Sequence, residues 1–101
     1  MRLLLLTAAV LWPAAAHADA DLGKRLFTTD AVPACGICHA LADAGTAGAI
    51  GPNLDDLKPD ADRVKLTVSD GVGVMPAYGD SLTAEEIDAV AAYVATATGA
   101  Q

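Results

Sequence analysis

The chain has 101 residues, 6 Lys+Arg against 13 Asp+Glu, and a formal net charge of −7. At this length a single domain is expected. A chain this acidic lacks the basic footprint that nucleic acid requires, which excludes DNA and RNA as partners.

The N-terminus reads as an export leader. Arg2 supplies a short positive head, Leu3 to Leu11 is apolar apart from Thr7, and Trp12 follows. Ala16-His17-Ala18 then places small residues at the spacing signal peptidase needs. Cleavage is expected after Ala18, with Ala20 as second choice. A membrane anchor is the alternative, but the apolar run falls short of the ~20 residues a span needs. Residues 1–18 are thus read as a cleaved signal peptide, and 19–101 as a periplasmic domain of 83 residues with no stable membrane insertion. Losing Arg2 leaves 5 basic against 13 acidic residues, a net charge of −8. That charge either steers a basic redox partner or only keeps the protein soluble. So short a chain has a marginal core of its own.

A first helix is expected over Ala20–Thr28, with Leu22, Leu26 and Phe27 on its apolar face. Gly23 and Phe27 are four apart and share one side. A glycine there admits another helix at close range; its alternative is a tolerated surface glycine at some cost in helix stability.

Cys35-Gly36-Ile37-Cys38-His39 follows, a C-x-x-C-H run that reads as covalent attachment of a c-type haem. Zinc would need more protein ligands, and no second cysteine pair exists. A thioredoxin-like site would need a strand before the first cysteine, and none is legible. A small-loop disulfide remains chemically open. None of these accounts for His39, the only histidine left once His17 is removed. Its Nε2 is the expected proximal iron ligand, and its other nitrogen needs an acceptor to fix the ring. Gly51-Pro52-Asn53-Leu54 offers one in the carbonyl of Pro52, aimed by a rigid φ; alternatively the segment only marks a turn. The stretch Leu41 to Ile50 between them reads as a flexible connection that wraps the proximal haem edge.

A further helix is expected over about Ala61–Ser69, capped by Asp60, with Val64 and Val68 on one face and Leu66 on its flank. Arg63 and Lys65 lie on this helix; one can meet a haem propionate, but solvent is the favoured reading. Gly71 and Gly73 open a loop to Met75-Pro76. With Met1 gone, Met75 is the only methionine, and it sits outside any periodic apolar pattern. It is the expected sixth ligand. Two protein ligands leave no open coordination position, which argues for electron transfer over oxygen or peroxide chemistry. The last helix begins at a capping box, Thr83-Ala84-Glu85-Glu86, with Leu82 and Ile87 as a staple. Ile87, Val90, Ala91 and Val94 form a helical stripe, ending near Thr96. It should cross the first helix at Gly23, with Phe27 and Tyr93 close by.

These motifs, in this order, resemble class I monohaem cytochrome c across essentially the whole mature chain. Gly23 and Phe27 look like the family's first-helix pair, and Cys35, Cys38 and His39 match its haem motif. Pro52 matches the proximal carbonyl, Met75-Pro76 the distal segment, and Val90 and Tyr93 the last-helix contacts. The resemblance implies a small all-α fold wrapped around one covalent haem c. The acidic surface departs from the lysine-rich docking face of mitochondrial cytochrome c. The stretches 34–39, 51–55 and 73–78 are more narrowly similar to cytochromes that accompany bacterial sulfite dehydrogenases.

The expected function is a periplasmic one-electron carrier, not an enzyme, passing electrons between a redox protein donor and acceptor. One alternative is a haem subunit held permanently by a dehydrogenase such as a molybdenum sulfite dehydrogenase. An alternative of another class is a haem-based gas sensor in which Met75 leaves the iron.

Overall fold

The computed structural model describes residues 4–9 and 15–101. Arg2 and Trp12, part of the expected leader, lie outside the described residues. Five helices and one short strand pair are described: α1 (Ala15–Arg25), α2 (Cys35–Cys38), β1 (Ala40–Leu41), β2 (Thr46–Ala47), α3 (Leu54–Leu57), α4 (Ala61–Asp70) and α5 (Ala84–Ala97). No helix among the described residues is long and apolar enough to cross a membrane.

The frame is the crossing of α1 and α5. Thr83 caps α5 through a reciprocal box. Its hydroxyl accepts from the Glu86 N–H at 3.1 Å, and the Glu86 carboxylate accepts from the Thr83 N–H at 2.9 Å. The helix then buries Ile87, Val90, Ala91 and Val94. Each large aliphatic in that stripe contributes about 1.5–3 kcal/mol. Gly23 is where α1 meets it. A Cβ at that position would collide with the Ala89 carbonyl and lie 2.6 Å from Cβ of Tyr93. Phe27 and Tyr93 close the crossing edge to face, with ring centroids 6.0 Å apart at 63°.

The first helix differs from its expected form. It starts at Ala15 rather than Ala20, and its last turn widens into a π turn, Leu26–Asp30. The hydroxyls of Thr28 and Thr29 donate to the carbonyls of Lys24 and Arg25, at 2.8 and 3.1 Å. Two adjacent threonines bonding back in this way compete for helical carbonyls and open the turn. The Ala31 N–H reaches the Leu26 carbonyl at 3.2 Å, five residues back. Leu26 and Phe27 are buried by this turn.

The 41–50 segment is not a flexible connection. β1 and β2 pair antiparallel, with Ala40 opposite Ala47 and Leu41 opposite Thr46. The Thr46 hydroxyl donates to the His39 carbonyl at 2.9 Å and accepts from the Leu41 N–H at 3.1 Å. The Tyr93 hydroxyl donates to Asp43 at 2.6 Å, and the Ala42 N–H donates to Asp55 at 2.8 Å. Leu41 is fully buried. Composition alone suggested mobility because these anchors come from residues far along the chain.

α4 spans Ala61–Asp70, and the Asp60 carboxylate accepts from the Arg63 N–H at 2.8 Å. Val68 is buried and Val64 packs against the core, whereas Leu66 is exposed. Two positions along a helix turn a side chain about 200°. Leu66 therefore faces away from Val64 and Val68.

Candidate functional site

α2 is a single turn, and its geometry sets the site. Positions three apart share a helix face, which puts Cys35 and Cys38 on one side. The His39 N–H closes back on the Cys35 carbonyl at 3.0 Å, so His39 leaves directly from the end of that turn. The two cysteines form no disulfide and are half-buried. Burial pushes the Cys35 thiol up to about 11, and the neighbouring Cys38 adds to the rise.

The His39 ring is held from behind. Its Nδ1 donates to the Pro52 carbonyl at 2.7 Å. A carbonyl only accepts, so the ring proton sits on Nδ1 and Nε2 keeps its lone pair free. Gly51 permits this approach, since a Cβ there would lie 2.5 Å from Cε1 and 2.8 Å from Nδ1 of the ring. The Gly51 N–H also bonds the Cys38 carbonyl at 2.8 Å. The two segments are thus fastened twice.

Met75 stands in a tight turn. Val72 and Met75 exchange backbone hydrogen bonds at 2.9 and 3.2 Å. Beyond it, the Tyr78 N–H bonds the Val68 carbonyl at 2.8 Å, and the Gly79 N–H bonds that of Ser69 at 3.1 Å. These bonds return the loop to α4. The Tyr78 hydroxyl donates to the Pro33 carbonyl at 2.6 Å. The Tyr78 ring is buried, and burial raises its hydroxyl to about 12. The loop after Met75 and the entry to α2 are therefore tied to each other.

Two adjoining cavities of about 290 and 380 Å³ meet at these residues. Cys35, His39, Pro52, Val72 and Met75 line both. The first runs inward past Phe27, Leu54, Val68 and Val90. The second opens past Pro33, Ile50, Val74 and Tyr78. Cavities of this order hold cofactors, with mainly apolar walls and a few placed polar groups. Among the described residues no three His, Cys, Asp or Glu side chains gather to hold a metal ion by themselves. Two thiols, one imidazole lone pair and one thioether on apolar walls suit a flat apolar macrocycle that brings its own iron. The residues present fit a c-type haem.

Residues 18–94 match the family model for cytochrome c oxidase, cbb3-type, subunit III. The cytochrome c6 of Gloeothece citriformis is 34% identical over 88 residues, which is 82% of this chain and 76% of that protein. The chain is a class I cytochrome c. The cytochrome is also similar to the cytochrome c-551 of Halorhodospira halochloris, at 32% identity over 76 residues, 71% of this chain and 92% of that one. Among solved structures it matches the c-type cytochrome SorU from Sinorhizobium meliloti. There the TM-score is 0.79 and the identity 51%, covering 82% of this cytochrome and 94% of SorU.

The cytochrome accordingly carries one covalent haem c and transfers electrons. Its fold is the expected small helical one, with one two-stranded pair added among the described residues. Thr46 and Tyr78 support the site, yet neither received a role from sequence. Thr46 sits in a stretch that reads as loose, and the Tyr78 partner lies 45 residues away. Arg63, favoured as solvent-facing, lines the first cavity, while Lys65 pairs with Asp88 at 2.8 Å.

Proposed function

We propose that Cys35 and Cys38 would anchor a haem through thioethers and that His39 Nε2 and Met75 would ligate its iron. The haem supplies a reversible one-electron couple at neutral pH. The protein's part is to hold and to shield. The Pro52 carbonyl fixes the His39 tautomer and the orientation of its ring. The Val72–Met75 turn fixes the backbone from which the thioether reaches. Phe27, Leu54, Val68 and Val90 keep water from the inner wall. One observation carries the reading: His39, with its Nδ1 engaged by Pro52, and Met75 line the same cavity.

Electron exchange needs an approachable edge. Val32, Ile37, Ile50 and Val74 are exposed apolar side chains, and Ile50 and Val74 rim the second cavity. This uncharged rim in an acidic protein supports docking by a basic or apolar redox partner. The donor in this reading is a periplasmic molybdenum sulfite dehydrogenase. The similarity of 34–39, 51–55 and 73–78 to the cytochromes that accompany such enzymes supports it. Residues 1–18 are then removed on export, and 19–101 act as a free carrier.

The test is the spectrum of the matured protein with Met75→Ala beside it. The wild type should show a sharp reduced c-type band and a weak far-red band from sulfur–iron ligation. The variant should lose the far-red band and keep its haem through acid-acetone extraction. Haem released from the wild type by that extraction overturns covalent attachment. A far-red band surviving in the variant overturns Met75 as ligand. Native mass from the source organism separates carrier from bound subunit, because a stable complex with a dehydrogenase overturns the free-carrier reading.

A further inference from the structure

The loop that carries Met75 is lightly held at its tip. Across residues 72–77, the only hydrogen bonds among the described residues are the two that Val72 and Met75 exchange. Val72 and Val74 are exposed, as are Gly73, Pro76 and Ala77. Burial therefore fixes little of the tip.

The neck is the opposite case, and Tyr78 makes it. Its N–H donates to the Val68 carbonyl at 2.8 Å, and its carbonyl accepts from the N–H groups of Ser81 and Leu82 at 3.0 and 2.9 Å. Its ring is buried, and its hydroxyl donates to the Pro33 carbonyl at 2.6 Å. Among the described residues this is the one hydrogen bond between 71–82 and 31–39. Pro33, Cys35, Met75 and Tyr78 all line the second cavity, so both ends of the bond lie on its wall.

An external ligand can take the place of Met75 only in molecules whose loop has opened, so its apparent affinity scales with the open fraction. A bond made only in the closed form lowers that fraction. We infer that the Tyr78 hydroxyl latches the Met75 loop to the segment before Cys35 and so sets how readily a small external ligand displaces the thioether. Tyr78 is thereby a positioning residue for Met75. The inference rests on reading Met75 as an iron ligand.

The experiment titrates imidazole into matured ferric holoprotein at neutral pH and follows loss of the far-red band, for wild type, Tyr78→Phe and Tyr93→Phe. Phenylalanine keeps each buried ring, so both variants are expected to fold. Tyr93→Phe deletes a tyrosine bond of the same length, 2.6 Å to Asp43, and Tyr93 lines neither cavity. Imidazole should bind Tyr78→Phe more tightly than wild type by about 2–10-fold, the factor one hydrogen bond supplies. Its affinity for Tyr93→Phe should match wild type. The limiting rate of displacement at saturating imidazole, which reports opening of the loop, should rise in Tyr78→Phe alone. Equal affinities in wild type and Tyr78→Phe, or an equal gain in Tyr93→Phe, overturn the latch while leaving Met75 as ligand. Wild type without a far-red band before imidazole is added instead overturns Met75 as the ligand.

Discussion

The hydroxyl of Tyr78 donates to the carbonyl of Pro33 at 2.6 Å, joining the segment after Met75 to the segment before Cys35. Tyr78→Phe keeps the ring and deletes this bond. Losing a hydrogen bond of this kind costs about 0.5–1.5 kcal/mol. Denaturant unfolding of the holoprotein at neutral pH checks the figure.

The same residue sets an alkaline limit. A tyrosine in an unfolded chain ionises near its ordinary value of ~10. In the folded protein burial raises Tyr78 to about 12. Its folded value lies above the unfolded one, so the stabilisation is complete below the unfolded value. It is lost as pH rises through the interval between the two. Tyr78→Phe should flatten that part of the stability profile, seen as a smaller drop in unfolding midpoint between pH 9 and 12 (roughly the window these values set). An unchanged alkaline slope counts against Tyr78 as its source.

Gly51→Ala tests the clamp on His39. The added Cβ would lie 2.5 Å from the ring, so ring or backbone must shift. Overpacking of this sort costs about 1–3 kcal/mol. For a domain this small, each 1 kcal/mol lowers the thermal midpoint by about 4–8 °C. A holoprotein melt that matches wild type shows that the ring has room to move.

Gly23→Ala tests the helix crossing. Alanine is the better helix former by about 1 kcal/mol. The crossing allows no Cβ, because the Ala89 carbonyl and the Tyr93 Cβ occupy the space. Contact should win over propensity, giving a net loss of about 1–2 kcal/mol. Urea unfolding reads the sign, and a stabilised variant refutes the close approach.

Thr46→Val preserves shape and deletes the hydroxyl that bridges His39 and Leu41. Leaving a part-buried donor and acceptor without partners costs about 1–3 kcal/mol. Hydrogen exchange at the Leu41 amide should accelerate in the variant. Unchanged exchange there rules out Thr46 as the pin of the strand pair.

The sequence made some of this legible and hid the rest for physical reasons. The α5 capping box and stripe were legible because both signals are local, set by spacings of three and four. The α1–α5 crossing was legible because Gly23 and Phe27 are one turn apart, and only a glycine fits such contact. The π turn was not, since it depends on two threonines abandoning their helical role. Nor was the order in 41–50, whose anchors are Tyr93, Asp55 and the Thr46 hydroxyl. Arg63 and Lys65 look alike in sequence. Only the placement of α4 against α5 separates a lysine paired to Asp88 from an arginine on a cavity wall.

The bare rim around Ile50 and Val74 governs how the molecules treat one another. Two copies approaching face to face would each bring a net negative charge toward an encounter with no compensating cations at its centre. Self-exchange between like molecules is therefore slow in dilute buffer and quickens as added salt screens the repulsion. Exchange among identical carriers is thereby disfavoured relative to exchange with a partner that lacks this repulsion.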